Sequence, residues 1–260
     1  MRRRFLFLLM LPLLTVASLG SAQATPEAES PLSGTAWQWR EFQSSNSTTV
    51  SPDQPQPDLI VFRPDGVLVV STACAAGEGT WRETPDGLDL DLSGIDLDGC
   101  AEDSATGLLL RDLAMSTSFV VQDGDLWIAL PMDGGIHQFV PSLAGMSWRW
   151  VQFQGSNDSL VTPKPADRYQ VTFDPAGTVS VETPCASGEG AYRDTADGLT
   201  IDLSSIDADT CAEDSLASTL LADLNVATSY VVQDGHLWIA LPMDAGIHEF
   251  APVWPASGDD

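Results

Sequence analysis

Cysteines, histidines and carboxylates are the residues of this 260-residue chain whose types and spacing suit them to chemistry, and most are placed twice. The cysteines are Cys74, Cys100, Cys185 and Cys211, with the same 26-residue step between the first two and the last two. Zinc would require further Cys or His ligands close by. The three histidines, His137, His236 and His248, are scattered far from the cysteines. The economical assignment is one disulfide per pair, Cys74 with Cys100 and Cys185 with Cys211. Each bridge closes a loop worth about 3.5 kcal/mol in chain entropy and implies an oxidising compartment.

Carboxylates cluster at Asp89, Asp91, Asp96, Asp98, Glu102 and Asp103, and again at Asp202, Asp207, Asp209, Glu213 and Asp214. Calcium takes oxygens of this kind, but the twelfth position counted from Asp89 is Cys100, where the EF-hand loop needs a bidentate Glu. A solvated strand face and a helix cap account for the same residues, with Asp103 and Asp214 at the N-cap positions. No metal or cofactor is expected. The chain has no Gly-x-Ser-x-Gly elbow, no His-Glu-x-x-His and no phosphate-binding Gly-rich loop ending in Lys-Ser or Lys-Thr. His137 and His248 hold equivalent positions near a closing Phe and read as packed, structural residues. His236 has Asp125 as its counterpart, which suits an exposed position beside a turn. Trp37 with Trp39, and Trp148 with Trp150, each put two rings on one strand face, either as a carbohydrate or peptide platform or as core, and core is the expectation. Asn46-Ser-Thr48 and Asn157-Asp-Ser159 match glycosylation acceptors, and Leu130-Pro-Met-Asp-Gly134 reads as a strand end and turn.

Trp37 and Trp148, Cys74 and Cys185, Cys100 and Cys211, and His137 and His248 are all related by the same shift of 111 residues, the signature of a tandem duplication. Residues 119–139 and 230–250 agree at 17 of 21 positions. Within a copy the patterns are mostly those of strands. Asp58-Leu-Ile-Val-Phe-Arg63 and Val67-Leu-Val-Val-Ser71 flank Pro64-Asp-Gly66, a hairpin matched by residues 169–181. Leu88-Asp-Leu-Asp-Leu92 alternates, with the leucines on a buried face. Two more strands, 119–122 and 126–130, are joined by Asp123-Gly124. Leu216, Leu220, Leu221 and Leu224 recur at helical spacing, as do Ala105, Leu109, Leu110 and Leu113, which predicts one amphipathic helix per copy. The expected fold is α+β and mostly β, two tandem small antiparallel rolls or barrels, each with one packed helix.

At the N-terminus Arg2, Arg3 and Arg4 precede an apolar run, Phe5 to Leu14, too short to anchor in a bilayer, and Ala22-Gln-Ala24 offers a cleavage site. The predicted organisation is a signal peptide at 1–24, a linker at 25–31, domains at 32–141 and 142–252, and an acidic tail at 253–260. Cleavage would leave 236 residues, with 8 basic against 37 acidic side chains and a net charge of −29. Such a charge repels phosphate backbones and anionic headgroups, so neither nucleic acid nor membrane insertion is expected of the mature chain.

With these residues in view the sequence resembles the META/HslJ domain, a DUF306-type module of bacterial envelope proteins linked to heat and drug tolerance. The resemblance covers both copies. Its opening Leu-x-Gly-Thr-x-Trp is matched by Leu32-Ser-Gly-Thr-Ala-Trp37, with Trp148 as the second copy's equivalent. Its Cys, with Gly five and an aromatic seven residues on, is matched by Cys74, Gly79 and Trp81 and by Cys185, Gly190 and Tyr192. Ala75 and Ala186 stand where the family has Asn, and its Met before the second Cys is missing. The resemblance implies a secreted or periplasmic stress or surface interaction module with a protein or envelope partner, and no enzyme activity. A barrel that binds a small ligand or inhibits a protease is the alternative, and a hydrolase with an unrecognised site the third reading. The duplication suggests two similar binding surfaces rather than one composite site.

Overall fold

The computed structural model describes residues 30–254 except positions 54, 55, 86, 196, 197, 213, 214 and 234. The predicted signal peptide and its cleavage site, most of the linker, Glu213, Asp214 and all but the first two residues of the tail lie outside the described residues.

In the first copy the strands are β1 (Thr35–Ser44), β2 (Thr49–Val50), β3 (Leu59–Phe62), β4 (Val67–Ser71), β5 (Ala76–Thr84), β6 (Gly87–Asp91), β7 (Ser118–Gln122), β8 (Asp125–Ala129) and β9 (Gly135–Pro141), with α1 (Ala105–Leu113) between β6 and β7. The second copy repeats them as β10 (Met146–Gly155), β11 (Leu160–Val161), β12 (Gln170–Phe173), β13 (Thr178–Glu182), β14 (Ser187–Thr195), β15 (Gly198–Asp202), α2 (Leu216–Asn225), β16 (Ser229–Gln233), β17 (His236–Ala240) and β18 (Gly246–Pro252). Each sheet is antiparallel, with order β6-β5-β4-β3-β1-β9-β8-β7 in the first copy, β2 adding to β1, and the equivalent order in the second. The two outer strands approach each other: Leu88 N–H donates to Thr117 O at 3.2 Å and Leu199 N–H to Thr228 O at 3.0 Å. The result is two nearly closed barrels, each with one helix. Among the described residues no helix is long and apolar enough to cross a membrane.

The long strand β1 has an irregular register between Trp39 and Glu41, so it can bend and serve β3, β2 and β9. Trp39, Phe62, Leu109 and Phe139 are buried together, and Trp150, Phe173, Leu220 and Phe250 repeat them. Each barrel interior is thus filled by side chains. Trp37 and Trp148 are buried as well.

The two disulfides join Cys74 to Cys100 and Cys185 to Cys211. Five residues after the first cysteine of each pair, a glycine faces the backbone beyond the next strand. A Cβ on Gly79 would lie 2.2 Å from Asp91 O, and one on Gly190 2.2 Å from Asp202 O. The aromatic two residues later pins the β3–β4 turn: Trp81 Nε1–H donates to Arg63 O at 2.8 Å, and the Tyr192 hydroxyl donates to Asp174 O at 3.0 Å.

The helix caps differ from the sequence reading. Ser104 and Ser215 are the N-caps, accepting from Gly107 N at 2.9 Å and Ser218 N at 3.1 Å. A cap must be extended and immediately precede the first helical residue, and only the serines meet both conditions. Asp103 therefore stands one residue too early to cap α1.

The barrels also touch each other. Ala36, Val61 and Leu143 belong to the apolar cluster that includes Met146 and Val171, with Val69 packed against it. β3 is consequently buried at all four positions, whereas β12 is half-exposed at Gln170 and Thr172.

Candidate binding cleft

A concavity of about 770 Å³ lies between the barrels. Trp37, Val121 and Pro141 of the first copy face Asp194, Leu199, Tyr230 and Val232 of the second, with Ser30 and Pro31 along one side. The β1 end and the β7–β8 hairpin supply one wall, and the β14–β15 hairpin and β16 the other. The two copies contribute different strands, so the cleft is composite. Its walls are not the pair of equivalent surfaces that the duplication suggested.

Several of its polar groups are held in place by hydrogen bonds. Trp37 donates its indole N–H to Thr35 Oγ1 at 2.6 Å, and Thr35 in turn donates to Leu32 O at 2.6 Å. The Tyr230 hydroxyl donates to Asp194 Oδ2. Burial pushes the Asp194 carboxyl above the usual carboxylate range, with the Tyr230 hydrogen bond acting the other way. Burial, reinforced by the Asp194 charge, raises the Tyr230 phenol, and burial likewise raises that of Tyr192. No Lys, Arg or His occurs among the described lining residues. The first copy has Phe119 and Glu83 where the second has Tyr230 and Asp194, so this hydroxyl–carboxylate pair belongs to one copy alone.

The histidines divide into two situations. His137 and His248 are wholly buried. His137 Nε2 lies 3.2 Å from Asp112 Oδ2 on α1, and His248 Nε2 lies 2.9 Å from Asp223 Oδ2 on α2. Each ring packs, tilted, against a Phe at 4.6 Å between centroids, Phe42 or Phe153. Desolvation lowers the His137 pKa, and its partner Asp112 opposes that shift. These His–carboxylate pairs tie helix to sheet, the first buried on both sides and the second with a partly exposed Asp223. His236 sits on the outer face of β17, its Nδ1 at 2.7 Å from Glu249 Oε1, while Gln152 Nε2 donates to Glu249 Oε2 at 2.6 Å. Trp238, Val231 and Ile247 surround that group. In the first copy Gln138 Nε2 donates to Asp125 Oδ2 at 2.6 Å instead.

Four of the acidic residues considered for calcium are loop caps. Asp91, Asp96, Asp202 and Asp207 each accept a backbone N–H two residues on, from Ser93, Asp98, Ser204 and Asp209. No group of three or more metal-ligating side chains comes together among the described residues. The turns after β8 and β17 place Met132 and Met243 in left-handed conformations with almost fully exposed side chains.

No family model matches the sequence, and the comparison with curated proteins finds no match. Among solved structures the chain is similar to a DUF4847 family protein from Bacteroides vulgatus ATCC 8482, at 16% identity and a TM-score of 0.32, over 42% of this chain and 93% of that one. It is also similar to a protein from Burkholderia xenovorans, at 16% identity and a TM-score of 0.36, over 49% of this chain and 99% of that one.

Proposed function

We propose that this chain is exported, is cleaved after Ala24, and works outside the cytoplasm as a tandem META/HslJ-like binding protein rather than an enzyme, receiving its ligand in the cleft between the two barrels. The observation that carries this reading is the cleft itself, a concavity of ligand size built from both copies while the barrel interiors are filled. The His–Asp pairs that resemble part of a catalytic triad lie outside its described lining. The two disulfides suit an oxidising compartment. On this reading the envelope or protein partner suggested by the family resemblance is engaged through what the cleft holds.

Native mass spectrometry of the protein purified from the extracytoplasmic fraction tests both parts. The expected species is the 236-residue chain starting at Thr25 with a bound small molecule, and Ser229→Trp, which fills the cleft, releases that molecule. A chain retaining Arg2 to Arg4, or a bound molecule unaffected by Ser229→Trp, contradicts the reading. Replacing both His137 and His248 by Gln should leave binding intact in whatever fraction folds.

A further inference from the structure

We infer that the ligand of the cleft is an organic cation, an ammonium group carried on an apolar body, with Asp194 as its counter-ion. This inference rests on the cleft being the binding site and adds the chemistry of what enters it. The wall made by Trp37, Pro141, Leu199 and Val232 suits an apolar body of moderate size, such as an aryl or alkyl group. Within the same lining Asp194 is the one described carboxylate, and no described basic side chain neutralises it there. The Tyr230 hydroxyl donates to one of its oxygens, which orients the carboxylate and keeps an aromatic ring in its neighbourhood. A carboxylate next to an aromatic ring, at the edge of an apolar hollow, is the arrangement that recognises ammonium groups through charge and cation–π attraction. The whole chain favours the same ligand class, since 37 acidic residues against 11 basic ones draw cations toward it and repel anions. Desolvation by the cleft walls raises the Asp194 pKa against the Tyr230 hydrogen bond although the residue is exposed, and a bound cation would lower it again. Tyr230 and Tyr192, the other titratable groups facing it, are pushed upward and stay neutral. Binding should accordingly weaken as pH falls through the raised Asp194 pKa.

The test uses the mature full-length protein and three probes that share one body: 4-phenylbutylammonium, 4-phenylbutan-1-ol and 4-phenylbutyrate, measured by isothermal titration calorimetry. The ammonium should bind about tenfold more tightly than the alcohol, a modest value for one partly desolvated charge pair, and the carboxylate should not bind measurably. Asp194→Asn should bring the ammonium down to the affinity of the alcohol and leave the alcohol unchanged. Tyr230→Phe, which keeps the ring and removes the donor, should cost only a few-fold. Equal binding of ammonium and alcohol, or an ammonium affinity indifferent to Asp194→Asn, overturns the cation assignment while the cleft remains a site. Loss of neither ligand in Ser229→Trp overturns the cleft itself, and so does failure of all three probes to bind the parent protein.

Discussion

At the scale of single residues, the buried His–Asp pairs carry the clearest energetic consequences. Asp112 and His137 face each other from α1 and β9 with almost no solvent access, so Asp112→Ala strands a buried ring nitrogen and should cost about 1–3 kcal/mol in chemical denaturation. The pH dependence follows from linkage. Desolvation lowers the folded-state pKa of His137 below the ordinary histidine value of 6.5, so below that pH the unfolded chain takes up a proton that the folded chain refuses. The contribution is fully present above pH 6.5 and is lost as pH falls toward the lowered folded value. The drop in melting temperature between pH 7 and pH 5 should therefore be smaller in His137→Gln than in the parent protein, and an identical drop would show that the ring titrates freely. Of these residues the sequence exposed the histidines, because duplication put them in register, but not their partners. Asp112 and Asp223 lie 25 residues before them, at the border of the leucine stripe of each helix, where a lone carboxylate reads as an ordinary polar flank. A more telling signal lies in the four positions where residues 119–139 and 230–250 disagree. Tyr230, His236 and Glu249 are three of them, and they supply the cleft hydroxyl and both ends of a cross-strand hydrogen bond.

At the scale of elements, hairpins, helices and disulfide pairing were legible because each rests on local periodicity or on the repeat. The caps were not, since the choice between Asp103 and Ser104 depends on one residue's backbone angles rather than on charge. Gly79 and Gly190, at the same place in both copies, have a physical reason to be glycine. After β6 the chain passes so close to β5 that any side chain would collide with the Asp91 carbonyl, and β15 does the same over Gly190. The obstacle is backbone, which cannot swing aside as a side-chain tip can. Gly79→Ala should therefore destabilise the first barrel toward the upper end of the roughly 1–3 kcal/mol typical of overpacking, as read from urea unfolding. The control is Gly124→Ala, where a Cβ would meet nothing within 4 Å and only the positive φ opposes the change. If the two variants unfold alike, close approach is not what keeps glycine at position 79.

At the scale of the molecule, the duplication predicted two units but not how they meet, and the reason again lies in the differences between copies. Strand β3 reads Leu-Ile-Val-Phe and its counterpart β12 reads Gln-Val-Thr-Phe; β4 carries Val69 where β13 carries Ser180. Inward positions stay apolar in both, whereas outward positions are apolar in the first copy and polar in the second. That is the pattern expected if only the first copy's outer face is covered, and Val61 and Val69 do pack against the second copy's core. The cleft depends on this contact, because its two walls belong to different barrels. Val61→Asp places a charge in that packed seam with no cation provided for it, a burial costly enough that the seam should open instead. The same change at the equivalent position, Thr172→Asp, falls on a half-exposed face and should be mild. Small-angle scattering of Val61→Asp should show a larger radius of gyration than the parent protein, with both disulfides intact and the far-ultraviolet dichroism of two folded barrels. 4-Phenylbutylammonium binding should disappear with the closed arrangement, while Thr172→Asp keeps both compactness and binding. A Val61→Asp protein as compact as the parent would place the contact between the barrels elsewhere, and one that opens yet still binds would move the site onto a single copy.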